Sequence, residues 1–280
     1  MVRLTSSPIA LRPFLKWAGG KRQLIPELLK YVPEFSGQYY EPFIGGGALL
    51  LRLQPEQAMI SDRNVELINC YQAVKHSIDD LIQNLKQHRN EKDYFYEVRS
   101  WDRQGEFATK TSTQRAARII FLNKTCYNGL FRVNSKGQFN APFGRYKNPT
   151  IADETVLRNV SAYLNRADVT IRQTDFAAAV ADAGQNDFVY FDPPYDPVSP
   201  TASFTGYYRN GFARSEQQRL KSVVDDLTRR NCKVLLSNAY TPFIQDLYQD
   251  YCCVRVSASR AINSNATKRG KVDEILVMNY

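Results

Sequence analysis

Phe188-Val-Tyr-Phe-Asp-Pro-Pro-Tyr195 constrains this chain more than any other stretch. Four consecutive apolar or aromatic residues, bounded by Asp187 and by prolines, predict a buried strand over 188–191. Pro193 and Pro194 cannot continue a ladder, so the strand must stop at Asp192. Asp192 thus stands at the carboxyl end of a strand, where open α/β sheets bind ligands. An aromatic ring, Tyr195, follows it.

This pattern suits alkylation of an exocyclic amino nitrogen. Such a nitrogen is a poor nucleophile because its lone pair is delocalised into the ring. A carboxylate, Asp192, and a backbone carbonyl, Pro193, can each accept an N–H hydrogen bond and draw the nitrogen towards tetrahedral geometry. Proline offers a C=O on a fixed φ with no N–H to donate. Tyr195 can stack on the base. The same residues also read as an Asp-capped turn with Tyr195 in the core.

Upstream, Phe14-Leu-Lys-Trp-Ala-Gly-Gly-Lys21 ends in a glycine turn, and a helix is expected over 22–31, closed near Pro33. Lys21 is placed to hold a carboxylate; a solvated lysine beside a packed Trp17 is the alternative. Residues 38–43 read as a strand, Ile44-Gly-Gly-Gly47 as a tight turn and 48–53 as a helix. Strand, glycine loop and helix open a nucleotide-binding α/β sheet. The loop is not G-x-G-x-x-G, so an adenosine ligand without pyrophosphate fits better. A second strand over 57–61 ends at Asp62, an acid placed to bond ribose hydroxyls. Residues 65–102 and 114–122 read as helical, with apolar positions at helical spacing. A strand over 169–173 precedes Asp175, which can bond an adenine amino group or cap a helix. Phe176 can pack on the adenine. A loop over 203–208, a helix over 215–230, a strand over 233–237 and a closing strand pair at 253–256 and 275–277 complete the pattern. A polar basic loop, 263–271, lies within the pair.

The window 124–147 differs. Lys124, Arg132, Lys136, Arg145 and Lys147 alternate with Tyr127, Phe131, Phe139, Phe143 and Tyr146, with no acid. Asn134-Ser-Lys-Gly137 reads as a hairpin turn. A basic, aromatic hairpin suits nucleic-acid reading, with Lys136 and Lys147 at phosphates. The whole chain has 37 basic and 28 acidic residues, a net +9, which favours a polyanionic partner without requiring one. Five cysteines with no C-x-x-C, and two histidines, argue against a zinc site or disulfide framework and fit a reducing cytoplasm. Nothing reaches transmembrane length.

Taken in order, F-L-K-W-A-G-G-K, E-P-F-I-G-G-G, Asp62, T-D-F and D-P-P-Y resemble the Dam-type DNA adenine-N6 methyltransferases, among them the GATC-modifying enzymes of restriction–modification systems. The resemblance covers nearly the whole chain. It implies an α/β class I S-adenosylmethionine-dependent methyltransferase fold: a mostly parallel seven-stranded sheet with helices on both faces. A helical and β-hairpin target-recognition domain would be inserted in it. The expected division is 1–75 catalytic, 76–160 target recognition and 161–280 catalytic. The implied methyl donor is S-adenosyl-L-methionine, leaving S-adenosyl-L-homocysteine, with no metal. By motif match Trp17, Lys21, Phe43, Asp62, Asp175 and Asp192 are cofactor contacts, with Ile44, Gly45 and Phe176 completing the expected set. Asp192, Pro193 and Tyr195 form the expected catalytic group.

The partner implied is double-stranded DNA. Leu130, Arg132, Pro142 and Tyr146 would meet bases, as would Lys16. Tyr127 and Asn128 would sit beside the gap left by a flipped base. Lys124, Asn134, Lys136, Arg145 and Lys147 complete the expected DNA-binding set. An RNA methyltransferase on this fold, or a DNA-binding protein with an inactive methyltransferase fold, are the alternatives. Glutamine methyltransferases of this type carry Asn at the position of Asp192. A nicotinamide dehydrogenase lacks support because the phosphate fingerprint is missing. No membrane association or obligate protein partner is indicated.

Overall fold

A computed structural model of the chain describes residues 10–17, 19–198, 212–259 and 271–280. The expected loops at 203–208 and, but for Lys271, 263–271 lie outside the described residues. In chain order the elements are α1 (Ile25–Leu28), β1 (Tyr39–Glu41), α2 (Ala48–Leu53), β2 (Gln57–Asp62), α3 (Val65–His76), α4 (Ile78–Lys86), α5 (Lys92–Ser100), α6 (Ser112–Thr125) and α7 (Glu154–Arg166). There follow β3 (Asp168–Gln173), α8 (Phe176–Ala179), β4 (Phe188–Phe191), α9 (Arg214–Arg229), β5 (Lys233–Ala239), α10 (Pro242–Leu247), β6 (Cys252–Ser259) and β7 (Lys271–Met278).

The strands form one seven-stranded sheet in the order β3-β2-β1-β4-β5-β7-β6. All neighbours are parallel except β7, which runs antiparallel to both β5 and β6. This is the mostly parallel seven-stranded sheet that the resemblance implies. Alternate residues divide between two cores: Tyr39, Tyr190 and Leu235 face one layer of helices, Tyr40, Val189 and Leu236 the other. β4 is buried throughout, which is why its sequence is a continuous apolar run rather than an alternating one. Chain order reverses between β1 and β4, so their carboxyl ends form the switch-point crevice.

Most expected elements are present, and the departures have local causes. The helix expected over 22–31 is a 3-10 turn (Lys21–Gln23) and the single turn of α1. Pro26 sits in the first turn of α1, and in a continuous helix its ring would strike the carbonyl four residues earlier. The long helical run from 65 breaks into α3, α4 and α5; Ser77, at φ −144°, ends α3 and starts α4. α7 and α10 were not expected, although Asp153 and Thr241 cap them with their side chains.

Residues 76–160 do not form a separate core. Leu81, Phe95 and Ile119 share one apolar cluster with Tyr39 and Leu235 of the sheet. The expected boundaries at 75/76 and 160/161 fall within α3 and α7. The expected hairpin is present as a turn with sparse pairing. Gly137 N–H closes it on Asn134 C=O at 2.9 Å, with Gly137 at φ +80°. Among the described residues, backbone pairing of its arms is confined to the bridges Val133–Phe139 and Cys126–Phe143. The other edge of Phe139 is claimed by side chains: its N–H donates to Asp102 (2.7 Å) and its C=O accepts from Arg103 (2.8 Å).

Candidate active site and nucleic-acid interface

β4 ends at Phe191, and Asp192 projects into the crevice with its side chain 18% exposed. One carboxylate oxygen is held twice. Asp192 Oδ1 lies 2.7 Å from Lys21 Nζ and accepts from Ser237 Oγ at 2.9 Å. Ser237 comes from the adjacent strand, since Phe191 pairs with Leu236. Ser237 Oγ lies 3.1 Å from the buried Tyr190 hydroxyl. Burial pushes the Asp192 carboxyl above its ordinary value, and Lys21 pulls it back down.

Lys21 is itself buried and fully engaged. Its ammonium donates to Gly19 C=O at 2.8 Å, meets Asp192, and lies 4.5 Å from the centre of the Tyr195 ring. The carboxylate it holds is therefore that of Asp192. Tyr195 donates its hydroxyl to Glu274 Oε2 at 2.7 Å. The Pro194 carbonyl accepts from Gln217, and Asp196 N–H donates to Asn238 Oδ1, so the turn after β4 is fixed on two sides. The Pro193 carbonyl has no hydrogen-bond partner among the described residues. Glu41, at the end of β1, is buried and accepts from Tyr39 O–H (2.7 Å) and Leu50 N–H (3.2 Å). Burial pushes its carboxyl up to about 8, against the pull of the Tyr39 hydrogen bond.

The glycine loop after β1 faces this group. Gly45 (φ +46°) lies under Trp17: a Cβ there would stand 2.9 Å from Trp17 Cδ1. Gly47 (φ +65°) would likewise place a Cβ 2.6 Å from the Tyr71 hydroxyl, which donates to Gly45 C=O. Ile44 N–H donates to Ser61 C=O, joining the loop to β2. Asp62 is buried at the end of β2, accepting from Asn64 N–H at 2.9 Å and, at 3.5 Å, from Gly45 N–H. Phe43, Asp62 and Gly45 thus share one side of the crevice.

Asp175 caps α8, accepting from Ala177 N–H, so the capping alternative is realised. Its carboxylate also accepts two bonds from Arg219 (2.8 and 2.6 Å) and pairs with Arg63 at 2.7 Å. The Arg219 hydrogen bonds hold it below the ordinary carboxylate value. Phe176 is buried between Phe43, stacked at 5.3 Å, and the Arg219 guanidinium at 4.0 Å.

The basic side chains of the window lie at the surface, as does Lys16, whereas Phe131 and Phe139 are buried in the core. Lys16, Arg132, Lys136, Pro142, Arg145 and Lys147 are exposed, and Tyr127 is 49% exposed. Leu130 and Tyr146 are half-buried. Asn128 and Arg145 take left-handed backbone, at φ +58° and +53°, which is uncommon outside glycine and marks built turns. Lys124 is half-buried, and desolvation lowers its pKa. Asn134 spends its side chain on the turn itself, accepting from Lys136 and Gln138 N–H and donating to Gln138 Oε1.

Lys16 sits over the Tyr146 ring at 5.6 Å, and Trp17 stacks on Phe131 at 4.8 Å. The amino-terminal motif therefore touches both the glycine loop and the basic window. Ser237, Glu41, Glu274, Gln217 and Asn123 were not singled out from the sequence. Ser237 and Glu41 carried one signal, a polar residue directly after an apolar run. Among the described residues no group of three or more His, Cys, Asp or Glu is arranged to hold a metal ion, and no helix is long and apolar enough to cross a membrane.

The chain matches, over residues 17–262, a family described as D12 class N6 adenine-specific DNA methyltransferase. It is 45% identical over 279 residues to the type II methyltransferase M1.LlaDCHI of Lactococcus lactis, covering 99% of this chain and 98% of that protein. It is 41% identical to the type II methyltransferase M.MjaIII of Methanocaldococcus jannaschii, over 96% and 99% of the two chains. With a DNA adenine methylase of Serratia marcescens the identity is 37%, over 95% and 98%.

Proposed function

The chain belongs to the D12 class N6 adenine-specific DNA methyltransferase family, and on that premise we propose that it methylates the adenine of GATC in duplex DNA, with the target base flipped out of the helix. One observation carries this reading. Asp192 stands at the switch-point crevice with Oδ1 held by Lys21 and Ser237, beside the Pro193 carbonyl. Oδ2 and that carbonyl make a pair of acceptors suited to the two N–H bonds of an exocyclic amine.

S-adenosylmethionine, when bound, supplies an electrophilic methyl group on a positively charged sulfur. The crevice fits such a ligand. Its glycine loop has no room for a Cβ at Gly45, and Asp62 offers an acceptor for ribose hydroxyls. Trp17, Phe43 and Ile44 would line the ligand, and Asp175 and Phe176 would meet its adenine once the Arg219 guanidinium gives way. Asp192 and Pro193 would draw the target nitrogen towards tetrahedral geometry, and Tyr195 would stack on the base. Transfer is direct, since a neutral amine attacks and the chain's work is orientation and lone-pair polarisation.

On the DNA side, Lys16, Leu130, Arg132, Pro142 and Tyr146 would meet bases, with Tyr127 and Asn128 at the vacated position. Lys124, Lys136, Arg145 and Lys147 would meet phosphates, and Asn134 would shape the turn. Residues 76–160 would act as the target-recognition region. The test is digestion of plasmid exposed to the enzyme with nucleases that are sensitive to, or dependent on, GATC methylation. Protection from the first and cleavage by the second are expected. Unchanged digestion by both would overturn the GATC assignment.

A further inference from the structure

We infer that Asn123 is a positioning residue for sequence discrimination: its side-chain amide registers the base-reading segment against the amino-terminal motif that borders the methyl-transfer site. The inference rests on the reading of Lys16 and the 126–146 segment as base contacts.

Asn123 lies in the last turn of α6 and is fully buried. Its Oδ1 accepts from Lys16 N–H at 2.9 Å, and its Nδ2 donates to Lys16 C=O at 2.7 Å and to Gly129 C=O at 2.9 Å. Both amide hydrogens are used, and both bonds go to the backbone of the two segments proposed to read DNA. Buried amides are costly unless satisfied, and the neighbours of Asn123 on α6 are otherwise largely apolar. Core packing alone would be served by an apolar side chain. The amide instead holds two distant segments at a fixed separation.

Those segments are in direct contact. Gly129 (φ +65°) packs so closely that a Cβ would stand 2.5 Å from Lys16 Cδ and 3.1 Å from Lys16 Cβ. The next residue after Lys16, Trp17, stacks on Phe131 and covers Gly45. A shift of the reading segment is therefore passed to Lys16, and through Trp17 to the glycine loop. Asn123 makes that connection stiff, so a wrong base pair disturbs the geometry of transfer as well as the contact itself.

The test uses the full chain with Asn123→Asp and Gly129→Ala. Asn123→Asp keeps the acceptor for Lys16 N–H but turns an acceptor towards two carbonyls. Gly129→Ala disturbs the same contact from the buried, left-handed turn after α6 and leaves the sequence of α6 unchanged. Single-turnover rates are measured on a GATC duplex and on each single-base-pair variant, with thermal unfolding as a control. The ratio of cognate to variant rates should fall by about tenfold in both proteins, in the range of one lost base discrimination. If all duplexes slow by the same factor, Asn123 only stabilises the fold and the inference is wrong. Should Asn123→Asp fail to fold, Gly129→Ala decides alone. A wild-type enzyme that itself shows no preference for GATC overturns the base-reading proposal instead, and the inference with it.

Discussion

The Lys21 ammonium lies 2.7 Å from Asp192 Oδ1, although one residue follows the first glycine turn and the other follows β4. The pair opposes the desolvation that pushes the Asp192 carboxyl up. Asp192 must be ionised to accept from the target amine, so activity should fall as pH drops through its pKa. Lys21→Met removes the opposing charge and should move the acid limb of the kcat profile to higher pH. An acid limb at the wild-type position would show that Lys21 does not tune Asp192.

Ser237→Ala should lower kcat while the protein stays folded. The lost bond is charge-assisted, on the order of 1.5–3 kcal/mol, or about ten- to a hundredfold in rate if it acts wholly in the transition state. The check is single-turnover transfer alongside cofactor affinity by calorimetry. Loss of affinity with an unchanged rate constant would assign Ser237 to binding.

Glu41 makes stability depend on pH. Its folded carboxyl is pushed up to about 8 from an ordinary 4.5, so the folded state holds a proton that the unfolded state releases. Stability is therefore full below about pH 4.5 and falls as pH rises through about 8, by an amount on the order of 5 kcal/mol. Glu41→Gln keeps an acceptor for Tyr39 and Leu50 without that proton. Its unfolding free energy should exceed wild type at pH 8 and lose the advantage near pH 4. Parallel curves for the two proteins would refute the assignment.

Arg132 and Lys147 should fail differently. Arg132 is exposed, with one guanidinium nitrogen on Asn140 C=O at 2.8 Å. A bidentate contact to guanine O6 and N7 is the commonest specific contact of an arginine. Arg132→Ala should cost about 1–3 kcal/mol at the cognate site and relax one base pair. Lys147→Ala should weaken all duplexes alike and reduce the salt slope by about one unit. Methylation rates on cognate and variant duplexes at two salt concentrations separate the two. Uniform slowing by Arg132→Ala would make it a phosphate or structural residue.

The fold was legible where local pattern decides structure. β4 announced itself as an apolar run stopped by two prolines, and the glycine loop with Asp62 marked the first two strands. Strand order is not a local property, so nothing in the sequence put Ser237 beside Asp192; that follows from the β4–β5 pairing. The fate of Lys21 was likewise half-visible. The sequence leaves Lys21 readable either as a carboxylate holder or as a solvated lysine, and the fold sets it against Asp192. Asp175 shows the reverse case. Its capping of α8 is local and readable, whereas its pairing with Arg219 and Arg63 depends on α9 and the loop after β2 meeting across the crevice. Asn123 was hidden inside an apolar helix, where its two partners are distant in sequence or across a left-handed turn.

The central claim is that Asp192 acts on the reacting nitrogen. Its most direct test is single-turnover methyl transfer to a duplex carrying one GATC, with N6-methyladenine read by mass spectrometry, for wild type and Asp192→Ala. Wild type should place one methyl group on the N6 of each GATC adenine. Asp192→Ala should give no detectable product while its thermal unfolding remains cooperative. Transfer by a folded Asp192→Ala at a rate near wild type would contradict the account.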